Sequence, residues 1–411
     1  MSPHSLRVPW HRHEHTGSRP SSGGPASRKP PRPDGRQGGA SATFASSLRA
    51  PVTVRSPVPG EGTVIAALWQ ELCDAHEAWG GYPGSHEPGV YQAIAQRLDD
   101  AARARAFKSG AGPFRLGSSQ TAPSPGLGAV PDQDLHLVAD VGGEACGQIE
   151  GHVERHGGDP ATPFTCTFQS LIVTEKARGL GAARALLGGL ADSARRFSRG
   201  PACVLCGEVL EANPALGFYE RVGYVPVAYS ARMDAARGAY LTDGRPGFPT
   251  ARHAIAKDAL QIVRLDGILA ARRRVAGDVR FDAPRNVEPK RVDAVAASLA
   301  SVPAHELLNP ATLVSVDSEG AVVGAAFFAV QDLDYPLAPS RRALLQCVSL
   351  EPTCAAAPVV RSIVAFACHL AQVQGARYLE VTDLSSPGTE LYSAALAAGA
   401  APWSRLMAKL A

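Results

Sequence analysis

The stretch Val173-Thr-Glu-Lys-Ala-Arg178-Gly-Leu-Gly-Ala-Ala183-Arg-Ala-Leu-Leu187 decides the reading of this chain. Strand-like text runs into a turn with two glycines, and the turn opens into residues of helical spacing. The first backbone N–H groups of a helix lack internal acceptors and sit at the positive end of its dipole, so such a turn is an anion site. Gly179 and Gly181 lack Cβ atoms and let the backbone close on an oxyanion. Arg178 can add a charged fork toward phosphate. No Gly-Lys-Ser/Thr follows, so the turn is not a Walker P-loop. Taken alone, it is equally a plain strand-to-helix connection.

A second motif follows the next strand: Asn213-Pro-Ala-Leu-Gly-Phe218-Tyr219-Glu-Arg-Val-Gly223-Tyr224. Read by itself it is a short helix with aromatic core residues and a glycine C-cap. The two motifs in this order resemble the GNAT superfamily of acyl-CoA N-acetyltransferases. Arg178 to Ala183 matches that family's Arg/Gln-x-x-Gly-x-Gly/Ala pyrophosphate turn. Asn213 to Gly223 resembles its Asn-x-x-Ala-x-x-x-Tyr-x-x-x-Gly pattern with one slip: one residue fewer separates Asn213 from Tyr219, and the small residues between them are Ala215 and Gly217. The resemblance is strongest over 135–233, fair over 51–134 and only architectural over 277–411. It implies acetyl-CoA as co-substrate, with Arg178, Gly179, Leu180, Gly181, Ala182 and Ala183 on its diphosphate. It further implies a pantetheine arm along the main chain of Leu171, Ile172 and Val173, and a thioester beside Tyr219. Asn213 would steady the cofactor; Phe218 is assigned to the same side, although a core role suits it equally.

Outward from these motifs, the chain has a coarse order. Val52–Arg55 reads as a strand, and Val64–Trp79 and Tyr91–Phe107 as helices. Asp134–Asp140 and Glu144–His156 form a hairpin about Gly142-Gly143, and Phe164–Val173 is a third strand. Arg178–Phe197 reads as a helix, Cys203–Leu210 as a strand, Pro214–Val222 as a short helix and Tyr224–Met233 as a closing strand. The fold class expected is α+β, a mixed and mostly antiparallel sheet flanked by helices.

The text then begins again. After a linker and a helix over 236–276, strands are expected at Asp278–Phe281, Leu313–Val316, Ala321–Val330, Ala343–Leu350 and Tyr378–Val381. Helices are expected at Val292–Leu299, Val359–Val373 and Thr389–Ala398. Placing Leu350 on Val173 brings Arg361 onto Arg184 and Ile363-Val364 onto Leu186-Leu187 without a gap, which indicates two tandem copies. The domains are thus a basic tail (1–50), a catalytic copy (51–235), the linker and helix, and a second copy (277–411). That second copy has Ala355-Ala-Ala-Pro358-Val-Val360 where the first has its turn. The arginine and both glycines are gone, and Pro358 has no N–H to offer, so this copy reads as degenerate.

Amine attack on a thioester needs a neutral amine and a proton for the departing thiolate. A thiol near ~8.5 needs only a modest acid, and tyrosine near about 10 serves at hydrogen-bond range; the resemblance assigns that role to Tyr219. Many relatives carry a glutamate on the strand corresponding to Phe164–Val173, and this chain has only Gln169 and Ser170 there. Strand alternation places Glu150, His152 and Glu154 on one face of the preceding strand, and Glu150 is the substitute base. The acceptor is expected to meet the first helix pair and its connection, where Asp74, His76, Glu77, Trp79, Tyr82, His86 and Glu87 form an acidic, aromatic group.

The formal charge is +3 over 411 residues. Residues 1–50 hold eight Lys/Arg against Glu14 and Asp34, so the remainder is mildly acidic. This Ser/Gly/Pro/Arg-rich tail reads as disordered and lacks a secretory signal pattern. No run of eighteen apolar residues suggests a transmembrane helix. The eight cysteines suit buried thiols of a cytoplasmic protein. Cys203 and Cys206 lie three apart on a strand and point to opposite faces, so no metal is expected there. Arg272-Arg273-Arg274 reads as a solvated helix end suited to the C-terminal dipole. The expected partner is a small-molecule or protein amine, with no nucleic acid and no membrane; an oligomer is compatible. The rival reading is a non-catalytic CoA-binding or scaffold protein with the same fold.

Overall fold

The computed structural model describes residues 51–108, 133–155, 164–198, 203–238, 248–275, 278, 287–301, 309–333, 337 and 341–410. The expected tail and the strand expected after Asp278 lie outside them. The first half runs β1 (Val52–Arg55), α1 (Gly62–Ala78), α2 (Val90–Lys108), β2 (Gln133–Val141), β3 (Glu144–Arg155), β4 (Phe164–Val173), α3 (Ala182–Ser198), β5 (Cys203–Leu210), α4 (Leu216–Arg221) and β6 (Val225–Asp234). A single turn, α5 (Ala235–Gly238), follows. The second half repeats the order as β7 (Thr250–His253), α6 (Ala259–Val275), α7 (Pro289–Ala300), β8 (Ala311–Val316), β9 (Val322–Asp332), β10 (Arg341–Leu350), α8 (Ala356–Val373), β11 (Tyr378–Leu384), α9 (Glu390–Ala397) and β12 (Ala401–Leu410).

The α+β expectation holds. The twelve strands of the described residues form one sheet in the order β1-β2-β3-β4-β5-β12-β6-β11-β10-β9-β8-β7. Only β4–β5 and β10–β11 run parallel. Two features went unread in the sequence. Thr250–His253, inside the stretch read as linker and helix, pairs with β8 as the edge strand of the second half. And β12, at the C-terminus, inserts between β5 and β6, while β6 pairs onward with β11. Each half therefore donates its last strand to the fifth strand of the other, about a centre where β12 and β6 run antiparallel.

Strand alternation divides the sheet into two apolar faces. On one, Leu137, Ile149, Phe164, Cys166, Phe168, Leu205 and Val209 bury α3 through Leu186, Leu187 and Leu190. On the other, α1 and α2 pack Ile65, Ile94 and Leu98 over Val138. In the second half α8 lies on the α3 side, in a core with Leu313, Phe328, Leu345 and Leu379. Among the described residues, α8 alone is long and apolar enough to span a membrane, with mean hydropathy 1.4; 61 % of it is buried inside the fold. Cys203 packs in the α3-side core and Cys206 in a small cluster with Val204 and Ala408, as their three-residue spacing on a strand requires.

Candidate active site

The site begins with a defect in β4. Ser170 adopts φ +61°, uncommon for a residue with a Cβ. The β3 register jumps there, from Glu150 opposite Gln169 to Gln148 opposite Ile172, so two β4 residues face one on β3. This is a bulge, and it re-aims the strand. The parallel pairing of β4 with β5 covers Phe164–Thr167 against Cys203–Cys206 and stops before the bulge. β5 continues past that point held only on its other edge, where it pairs with β12 from Val204 opposite Leu410 to Leu210 opposite Ser404. The sheet therefore opens between the ends of β4 and β5. Leu171, Ile172 and Val173 border the gap with an edge that can accept an added strand. Ile172 packs on Leu68 and Leu72 of α1, and Leu171 and Val173 lean toward the α3 side.

The glycine turn follows. Thr174 N–H returns to Cys146 O at 2.8 Å, Arg178 N–H to Glu175 O at 3.1 Å and Leu180 N–H to Ala177 O at 3.2 Å. Gly179 (φ +80°) and Gly181 (φ +94°) take left-handed backbone, so α3 starts at Ala182, four residues after the expected Arg178. The Ala185 N–H to Gly181 O bond of 2.9 Å closes the first helical turn. The amides before it point outward at the dipole's positive end. Arg178 is exposed, its Nε 3.3 Å from Val173 O and its guanidinium 3.4 Å from Glu71. An exposed pair of that length holds the side chain weakly, so it can turn to another anion. Ser170 Oγ at the bulge and Thr174 Oγ1 at the turn are buried without a hydrogen-bond partner in the protein. A ligand lying through the gap with its anionic end on the turn would pass both, and the residues fit one of that shape.

Tyr219 sits on α4 at the α3 face of the gap, 6 % exposed. Its ring stacks on Phe168 (centroids 6.1 Å, 13°) and meets Phe218 and Tyr224 edge-on. Burial pushes its hydroxyl up to about 12, a weaker acid than the value of about 10 used above. Asn213 Oδ1 accepts from the Ala215 N–H at 2.8 Å and shapes the entry to α4; Phe218 is half-buried in the same core.

On the opposite face, Glu150 lies across from His136 on β2 and Gln169 on β4. Gln169 Nε2 donates to its Oε2 at 3.4 Å, and His136 Nδ1 stands 4.0 Å from its Oε1. Burial raises the proton affinity of Glu150, offset in part by Gln169 and Arg97. His136, held at Nε2 by Gln148 Oε1 at 3.0 Å, is pushed down to about 4 by burial and stays neutral. His152 turns instead to Asp134 at 2.8 Å in exposed surroundings. The Glu154 side chain lies outside the described residues. Tyr219 and Glu150 are thus on opposite faces of the sheet, and the gap between β4 and β5 is the passage between them.

Of the expected acceptor wall, Asp74, Glu77, His86 and Glu87 face solvent, with His86 3.8 Å from Glu77. His76 packs on Trp79, and Tyr82 turns into the sheet. Sequence reasoning missed Glu208, whose carboxylate accepts from Ser404 Oγ of β12. It is the one charged residue of Cys203–Leu210 and falls on the α1 face by alternation. That signal was legible; its partner on β12 was not.

The family model for the acetyltransferase (GNAT) domain matches residues 132–226, from the start of β2 to the start of β6. The matched stretch holds the bulge, the glycine turn and Tyr219. Residues 132–226 carry a GNAT domain. A GCN5-related N-acetyltransferase from Sphaerobacter thermophilus is similar at 16 % identity, covering 87 % of this chain and 95 % of that one, with a TM-score of 0.46. A tandem GNAT protein from the clavulanic acid biosynthesis pathway is similar at 14 % identity over 88 % and 98 %, TM-score 0.43. No curated protein matches the sequence.

The second half keeps the bulge and the early end of strand pairing but not the open turn. Cys347, 177 positions after Ser170, has φ +54°, and the β9–β10 register breaks between Gln346 and Ser349. Pairing of β10 with β11 again stops early, at Leu345 opposite Val381. At the start of α8, however, Glu390 Oε1 accepts from the Ala356 N–H at 3.1 Å, so a carboxylate of the chain already takes the anion position. Arg273 is not a solvated helix end. It is 1 % exposed, donates to Leu384 O at 3.0 Å and pairs with Asp278 at 2.8 Å and Asp383 at 3.5 Å. A charge this deep requires such partners, and the arginine fills the α6 side of β11 at the end of its pairing with β10.

Proposed function

We propose that the protein is an N-acetyltransferase that moves an acetyl group from acetyl-CoA to a primary amine by direct attack, with one working site in the first copy (51–235). The observation that carries this reading is the opened β4–β5 gap leading to the Arg178–Ala183 turn, with orphaned Ser170 Oγ and Thr174 Oγ1 along it. Acetyl-CoA would supply an activated acyl carbon and a thiolate leaving group. The outward amides of Gly181–Ala183 and the Arg178 guanidinium bind its diphosphate, and the edge of Leu171–Val173 aligns its pantetheine arm.

In the reaction a C–N bond forms, the C–S bond breaks, the amine loses a proton and the sulfur gains one. Glu150, raised above the usual carboxylate range by burial, takes the amine proton through water; His136, neutral and held by Gln148, does not compete for it. Tyr219 stays protonated across the physiological range and donates a hydrogen bond to the leaving sulfur. Full transfer from a hydroxyl near 12 to a thiolate near ~8.5 would be uphill by roughly 5 kcal/mol. Tyr219 therefore stabilises the developing thiolate, and solvent completes its protonation. Carboxylates on both sides of the gap, Glu150 and Glu208, favour a cationic acceptor.

The test is thiol release from acetyl-CoA across a panel of primary amines, wild type against Tyr219→Phe. The variant keeps the ring and its stacking and loses only the donor, so kcat falls on the order of 10²-fold while acetyl-CoA still binds. Unchanged thiol release removes Tyr219 from the mechanism; no release with any amine removes the function.

A further inference from the structure

Outside the machinery just described, Glu380 on β11 is one of the most deeply buried carboxyls among the described residues, 1 % exposed. Its Oε1 accepts from the Tyr82 hydroxyl at 2.5 Å, 298 residues away in sequence, and its Oε2 lies 3.8 Å from Arg342. Tyr82 belongs to the segment between α1 and α2. That segment is held a second way: Arg232 on β6 donates to Gly80 O at 2.8 Å. The Arg232 guanidinium in turn lies over the rings of Trp403 (3.4 Å), Tyr378 (4.4 Å) and Tyr82 (5.6 Å). Three aromatic rings about a cation would suit a substrate ammonium, but the chain's own arginine fills this cage. Its role is structural, and what it fixes is residues 80–82.

The place fixed matters. Helix α1 packs on Ile172 beside the gap, and the segment that follows it crosses from there to the seam where β12, β6 and β11 meet. Tyr82 touches both Trp403 of β12 and Tyr378 of β11. The same β12 holds Glu208 through Ser404, itself fully buried. The Tyr82 segment and Glu208 are thus both anchored by the second half, whose own anion position is taken by Glu390.

We infer that the C-terminal half serves the first half's site as an acceptor-specificity element: through Glu380 on Tyr82, and through the Trp403 and Tyr378 rings that hold Arg232 against Gly80 O, it latches the α1–α2 segment as the wall against which the amine binds. Tyr82, Glu380 and Arg232 are positioning residues, and the inference rests on the acetyltransferase reading above. The experiment uses the full chain with Tyr82→Phe and Glu380→Gln. Hydrogen exchange of amides 79–84 should quicken at least tenfold in Tyr82→Phe. The amine KM should rise about tenfold with kcat within threefold, and the calorimetric Kd for acetyl-CoA should stay within twofold. Glu380→Gln, which keeps an acceptor for the tyrosine hydroxyl, should recover most of the wild-type exchange and KM. Unchanged exchange in Tyr82→Phe, or quicker exchange with an unchanged amine KM, overturns the inference. A wild type that binds acetyl-CoA but acetylates no amine defeats the proposed function instead, and the inference falls with it.

Discussion

Glu380→Gln offers a quantitative check on the seam between the halves. The Glu380 carboxyl is pushed from an ordinary 4.5 up to about 7, chiefly by burial and then by the charge of Glu208; Arg342, Tyr82 and Arg232 act the other way. A carboxyl whose folded value is raised binds its proton more tightly in the native state, so stability falls as pH rises between about 4.5 and 7. At 1.36 kcal/mol per unit, the gap between 4.5 and about 7 corresponds to about 3 kcal/mol lost by pH 8. Glutamine resembles the protonated carboxyl in shape, keeps an acceptor for Tyr82, and cannot ionise. Its amide meets Arg342 differently, an offset that does not vary across this window because arginine stays charged. Urea unfolding of both proteins at intervals from pH 4.5 to 8 measures the effect. The stability of Glu380→Gln minus that of wild type should climb by about 3 kcal/mol across the range. A flat difference would refute the claim that this carboxyl is buried at the junction with a raised proton affinity.

Three further outcomes follow from the site. A Cβ at Gly207 would stand 2.3 Å and 2.4 Å from atoms of the Phe168 ring, so Gly207→Ala should cost about 1–3 kcal/mol in urea unfolding. It should also lower kcat by shifting the ring that stacks on Tyr219; an unchanged midpoint would mean the close approach is absent. Arg178→Ala should weaken acetyl-CoA binding roughly tenfold, the size of one charge-assisted contact. That deficit should shrink as salt is added, and equal affinity at low salt would exclude the arginine from the diphosphate site. Glu150→Gln should abolish the acid limb of the amine kcat/KM profile, because the raised carboxyl loses its capacity to accept a proton as pH falls; persistence of that limb would place the base elsewhere.

Local periodicity made the first half legible. Phe164–Val173 and Cys203–Leu210 appear as strands with the bounds expected, since each alternates and is rich in β-formers. The helix after the turn starts later than its apolar spacing suggested, because two glycines with positive φ precede it. The bulge at Ser170 left no trace in the text: nothing in Gln169-Ser170-Leu171 announces a left-handed residue, and the feature is imposed by pairing with β3. The strand at 401–410 escaped for a related reason. Ala-Pro-Trp-Ser-Arg-Leu-Met-Ala-Lys-Leu has burial in pairs, broken by two register shifts against β6, rather than strict alternation. Its partners lie almost two hundred residues away, beyond any window of local pattern. Arg273 was misread because a basic helix end is usually solvated. Only the fold brings Asp278, Asp383 and the Leu384 carbonyl to it. Tertiary pairing, not propensity, set each of these features.

Titration calorimetry of the 411-residue chain with acetyl-CoA is the most direct test. The open turn in the first half and the Glu390-capped helix in the second predict a single site per chain, its affinity reduced by Arg178→Ala. No heat of binding, or two equivalent sites per chain, would contradict it.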